Sequence, residues 1–209
     1  MSWTGCAEYF GDRAMALAAS LALLLAFCGG AWAESPTETL QGVFAAVNRA
    51  LGSPELQGKP QELGGAIHNV MNATFDFREA ARLAMGREWE ARTPTEQDEF
   101  VQLFAALLER AYMSQMSSRT GAPGGLAIRY LGESVDGNRA TVATVMGSGS
   151  GKEIPLDYQM IQGGERWAVY DVAVGGISLV GSYRSQFAKV IKQSSYAGLV
   201  ARLKSPRGN

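Results

Sequence analysis

The change of pattern at Gly121 constrains the fold of this chain more than any other feature. Downstream of it four short runs have β character: Leu126–Leu131, Arg139–Met146, Glu153–Ile161 and Arg166–Val174. Asp136-Gly137-Asn138, Gly147–Gly151 and Gly163-Gly164 separate them. Loops that short join antiparallel neighbours, so the runs predict a meander. Leu156, Tyr158 and Met160 alternate with Asp157 and Gln159, which describes a strand with one buried face. The last run, WAVYDVAV, is apolar on both faces and is expected at the centre of the sheet, covered twice.

Upstream of Gly121 the spacing is helical. Ser35-Pro36-Thr37-Glu38 is a capping box with proline at the first helical position. Leu40, Val43, Phe44, Val47 and Leu51 follow at helical spacing until Gly52. A second helix is expected over Glu62–Ala73, weakened by Gly64-Gly65. Asp76 with Glu79 caps a short helix that Gly86 ends. Thr93-Pro94-Thr95-Glu96 repeats the box and opens the longest helix, to about Ser117, with Phe100, Leu103, Phe104, Leu107 and Leu108 on its apolar stripe. Ser178–Ile191 and Ser195–Lys204 return to helix. Helices, a meander and closing helices predict an α+β domain with helices packed on one face of a twisted antiparallel sheet.

The first 33 residues read as an address. Ala14–Phe27 carries no charge, Arg13 precedes it, and Ala31-Trp32-Ala33 offers the small residues of a cleavage site. The run is shorter than the roughly 20 apolar residues of a bilayer span. A signal peptide over 1–33 and a single domain over 34–209 are therefore expected, with an uncleaved anchor as the alternative. Cleavage would remove both cysteines, Cys6 and Cys28, and with them any disulfide scaffold or thiol nucleophile.

Catalytic equipment is sparse. His68 is the only histidine and reads as a helix-surface or boundary residue. No G-x-S-x-G elbow occurs, several His or Cys ligands for zinc are missing, and D-x-D-x-D-G is absent. Gly147–Lys152 fails the Walker spacing, with Glu153 where Ser or Thr should stand. No catalytic residue, metal or cofactor is expected. The even charge balance gives no basis for nucleic-acid binding. Residues 182–209 nevertheless hold six cations and no acid, which is either a solvated face or a docking surface.

Two stretches carry a family resemblance. The first runs through Phe75-Asp76-Phe77, Ala81–Gly86 and Trp89 into the Pro94 helix. The second runs through Val169-Tyr170-Asp171-Val172, Gly176–Val180 and Tyr183–Phe187, with Gly198 and Leu203 closing. Together they resemble the MlaC family, also called toluene-tolerance Ttg2 proteins. The resemblance implies an NTF2-like α+β fold with a deep apolar pocket. It further implies a monomeric periplasmic phospholipid carrier of an ABC-type system that maintains outer-membrane asymmetry. Its implied partners are an inner-membrane complex of MCE-domain subunits and an outer-membrane lipoprotein complex. A hopanoid-associated relative shares the pattern, and an envelope adaptor is the alternative outside lipid transport. The candidate lipid-binding residues are Leu103, Leu107, Leu156, Tyr158, Met160, Trp167, Val169, Val180, Tyr183 and Phe187, each with plain core packing as the competing role. Tyr183 and Arg184 are candidates for the pocket mouth.

Overall fold

The computed structural model describes residues 34–117, 127–147 and 153–205. The expected signal peptide, the loop 148–152 and Arg207 lie outside the described residues. Residues 34–209 form a compact unit of their own. Its helices are α1 (Pro36–Gly52), α2 (Pro60–Thr74), α3 (Phe77–Met85), α4 (Pro94–Ser117), α5 (Leu179–Gln193) and α6 (Tyr196–Lys204). Its strands are β1 (Ile128–Asp136), β2 (Arg139–Gly147), β3 (Glu153–Gly163), β4 (Arg166–Val174) and β5 (Ile177–Ser178). The architecture is α+β, with one antiparallel sheet in the order β1-β2-β3-β4-β5.

The helix starts follow from local chemistry. In α1 the Ser35 N–H donates to Glu38 at 2.8 Å and the Glu38 N–H donates back to Ser35 Oγ at 3.1 Å. That reciprocal bonding holds the Glu38 carboxyl below its usual range. Thr93 and Glu96 do the same for α4, and Asp76 caps α3 through the Glu79 N–H. Helix α2 begins at Pro60, two residues before the periodicity alone marks it, because proline suits the first turn. It runs through Gly64-Gly65 unbroken, since packing of Ile67 and Val70 against α1 outweighs the glycine cost.

Two β-bulges decide which side chains share a face. On β4, Asp171 pairs with Gln159 while Val169 pairs with Met160, so Tyr170 is an extra residue. The bulge switches the alternation: Trp167 and Val169 before it, and Val172 and Val174 after it, all lie on the face of Leu156, Tyr158 and Met160. The apolarity of WAVYDVAV on both faces is thus one face read across a bulge. This strand is not central. It stands fourth of five, and beyond it β5 pairs only with Ala173 and Val174. The rest of its outer edge meets the junction between α2 and α3, where Phe75 bridges Val169 and the Asp76 N–H donates to the Val169 carbonyl at 2.8 Å. On β1 a second bulge at Leu131 brings Glu133 onto the same face as Tyr130. Glu133 there accepts from the Thr37 N–H and hydroxyl, which anchors the first turn of α1.

Buried side chains fall into separate clusters. One joins α3, α4, α5 and α6 around Phe100, Phe104, Phe187 and Trp89. Its rings meet edge-on: Phe100 and Phe104 both approach Phe187 with centroids under 6 Å apart, an arrangement worth about 0.5–1.5 kcal/mol per pair. A second joins Leu40 of α1 to the inner face of the sheet through Val142, Met160, Trp167 and Val169. A third, small one lies between α1 and α2.

Candidate lipid-binding cavity

The inner sheet face is not covered by protein along its whole length. Helices α1 and α2 close over one part and α4 and α5 over another, leaving a cavity of about 780 Å³. That lies in the upper part of the roughly 300–1,000 Å³ typical of ligand sites. Leu40, Val43, Phe44 and Val47 line it from α1, and Ile67 and Met71 from α2. Helix α4 presents Leu108 together with Ala105 and Ala106, whose short side chains leave room. The sheet contributes Met146, Ile154, Leu156, Tyr158, Val169, Val172 and Val174; α5 contributes Leu179, Val180 and Tyr183. The strand residues alternate in the order the bulged register dictates.

The polar groups of the wall are mostly engaged with the protein. Asp171 accepts from the Val172 N–H at 2.8 Å, from the Ser178 hydroxyl and from the Val180 N–H at 3.0 Å, so its charge caps α5. Thr144, fully buried beside the cavity strands, donates to the Leu156 carbonyl at 2.9 Å. Burial pushes the Tyr183 phenol up, so it stays neutral. The rim is different. His68 of α2 bonds through Nδ1 to Glu109 of α4 at 2.6 Å, and its Nε2 meets the Asn72 amide at 2.7 Å. Their side chains are 41% and 38% exposed, which places the pair where the cavity meets solvent. Among the described residues no group of three or more His, Cys, Asp or Glu could hold a metal.

An apolar chamber with a polar rim suits a greasy ligand. Comparison with known proteins gives it a family. The model of the MlaC protein family matches residues 39–205. The chain belongs to the MlaC family. One relative is the toluene tolerance protein ttg2D of Pseudomonas putida, 23% identical over 85% of this chain and 86% of that protein. A solved structure, the phospholipid-binding protein of Ralstonia solanacearum in complex with a phospholipid, superimposes with a TM-score of 0.68 at 27% identity. That match covers 79% of this chain and 92% of the Ralstonia chain.

Within this MlaC fold the ten residues singled out from the sequence divide evenly. Leu156, Tyr158, Val169, Val180 and Tyr183 stand on the cavity wall. Leu103, Leu107 and Phe187 pack instead into the cluster between α3, α4, α5 and α6. Met160 and Trp167 pack beyond the cavity, near the β3–β4 turn, where α1 and neighbouring strands cover them. Arg184 lies against Gly86 rather than at the rim. The wall residues of α1 and α2 escaped the sequence reading because their heptad-like spacing looks the same whether the stripe meets a neighbour or a void. His68, expected at a helix surface or boundary, stands on the rim, where α4 brings Glu109 to it across 41 positions of sequence. The small stripe Ala105-Ala106 was the one local signal of open space on α4.

Proposed function

We propose that this chain is a periplasmic phospholipid carrier that holds its cargo by the acyl tails. The observation carrying the reading is the 780 Å³ apolar cavity between sheet and helices, in a fold shared with a protein solved with phospholipid bound. Each methylene moved from water into such a wall gains about 0.8 kcal/mol, so a few turns of acyl chain suffice for stable binding without any charged contact. Holding a lipid this way calls for no bond making or breaking, and the protein acts as a container rather than an enzyme. The uncharged run Ala14–Phe27, with Arg13 before it and Ala31-Trp32-Ala33 after it, has the pattern of a leader and supports a periplasmic setting. Among the described residues no helix is long and apolar enough to cross a membrane, as befits a carrier that leaves one. As a monomeric shuttle it takes lipid from, or delivers it to, membrane complexes at either side of the periplasm: an outer-membrane lipoprotein complex and an inner-membrane MCE-domain complex.

The test is purification of the mature chain from a bacterial periplasm, organic extraction and mass spectrometry of what it carries. Phospholipid in near-stoichiometric amount is expected. A hopanoid in its place would redirect the cargo assignment. Recovery of no lipid, together with no uptake from added vesicles, overturns the carrier reading.

A further inference from the structure

The walls of the cavity are not joined to one another equally. Helix α1 is held to the sheet by Leu40 and its cluster, and α4 is held to α5 by the rings of Phe100, Phe104 and Phe187. Helix α2 packs through Ile67, Val70 and Met71 on α1, and just past its end the Asp76 N–H pins the chain to the Val169 carbonyl of β4. The seam between α2 and α4 has no such packing. Among the described residues, none of the buried apolar clusters has members on both helices. On the α4 side the wall carries the small side chains of Ala105 and Ala106. Among the described residues, what bonds the two helices is a single polar contact, His68 Nδ1 to Glu109 Oε1 at 2.6 Å. Both residues line the cavity and both reach solvent, so the contact lies across the mouth.

We infer that His68 and Glu109 form a clasp that closes the seam between α2 and α4, and that lipid enters and leaves the cavity when this clasp parts. The inference rests on the carrier reading, since the clasp governs the traffic of that cavity's cargo. Two features of α2 suit the role. Asn72, one turn after His68, places its amide nitrogen 2.7 Å from Nε2. An amide nitrogen only donates, so Nε2 accepts and Nδ1 carries the hydrogen that goes to Glu109. The ring is thus aimed at α4 by its own helix and is ready to re-form the contact after each opening. One turn before His68 stand Gly64 and Gly65, and a side chain at Gly65 would meet open space. Glycines at that point make the helix easier to deform next to the clasp. A partly exposed pair of this kind is weak, which fits a closure that opens in every exchange cycle. It holds the loaded and the empty cavity shut alike, so breaking it speeds uptake and release together and leaves affinity nearly unchanged.

His68→Ala and Glu109→Ala each remove one side of the clasp from the exposed rim. Transfer of a fluorescent-tailed phospholipid is timed in both directions between the mature protein and vesicles of phosphatidylethanolamine and phosphatidylglycerol. Each variant is expected to raise both rates by about two- to fivefold, the effect of losing a partly exposed ion pair. The double variant H68A/E109A should go no further than either single one, because the two side chains act as one contact. The converse experiment holds the clasp shut. Residues 34–209 contain no cysteine, so His68→Cys combined with Glu109→Cys can be bridged by a short bis-methanethiosulfonate reagent. The bridged protein is expected to exchange lipid roughly tenfold more slowly and to regain its speed when a reductant releases the bridge. Parental rates in both single variants, or a bridged protein that exchanges as fast as its reduced form, overturns the clasp while leaving the carrier standing. A lowered unfolding midpoint with unchanged rates marks the contact as structural only and overturns the clasp as well. Failure of the parent itself to take up lipid overturns the carrier reading and the clasp with it.

Discussion

Filling the cavity from a single wall position tests the central reading most directly. Ala105 lies on α4, lines the cavity and is only partly buried by neighbouring protein. Its methyl group sets the local floor, so Ala105→Trp sends an indole into free space rather than into packed atoms. The helix itself loses at most about 0.7 kcal/mol in propensity. The indole takes the path of roughly four methylenes of an acyl chain, and at about 0.8 kcal/mol each the bound lipid loses about 3 kcal/mol. That is a weakening of roughly a hundredfold, since about 1.4 kcal/mol is a factor of ten. Affinity is read by titrating delipidated protein with a fluorescent-tailed phospholipid. Thermal unfolding of the delipidated variant is followed in parallel and should shift little, because the new ring covers apolar surface that was bare. Ala105→Ser, which changes the volume hardly at all, serves as the control and should bind as the parent does. A folded A105W protein that loads lipid with parental affinity would refute the assignment of this cavity to the acyl chains.

Three further outcomes follow from the same structure. Glu79 is held below the usual carboxylate range, first by its hydrogen bonds to Arg82, against burial, and then by Arg139. A depressed folded-state pKa means stability that is fully present above about pH 5 and declines as pH falls below 4.5 toward the lowered value; Glu79→Gln should flatten that acid limb in denaturation curves measured from pH 3 to 6. Asp171→Ala strips the Val172 and Val180 N–H groups and the Ser178 hydroxyl of their common acceptor, and should cost about 2–3 kcal/mol in urea unfolding, well above the loss of a surface charge. Gly86 ends α3 at φ +58°, with an added Cβ only 2.9 Å from Arg184 Nε, so Gly86→Ala should lower stability by about 1–3 kcal/mol, and the second change Arg184→Ala should recover only the steric part.

The sequence alone settled where the chain turns and what class of fold it makes. Capping at Ser35–Glu38, Asp76–Glu79 and Thr93–Glu96 depends on residues three apart, so the starts of α1, α3 and α4 can be read locally. The same holds for the β2, β3 and β4 runs, whose short glycine-containing loops leave antiparallel pairing as the available arrangement. The family too was legible, because its two motif stretches are continuous in sequence.

Tertiary structure decided the rest. Periodicity tells which side of an element avoids water, but an apolar side chain is equally well served by a packed neighbour and by a dry cavity wall. So Phe187 and Leu107 went to the core and Phe44 and Ile67 to the wall, with nothing in their spacing to separate them. The bulges at Leu131 and Tyr170 change which alternate residues share a face, and a bulge depends on the partner strand as much as on its own residues. The apposition of His68 with Glu109 arises between residues 41 positions apart. Such meetings are set by how the helices lie over the sheet, which is fixed by the summed packing of the whole domain rather than by any local run of residues.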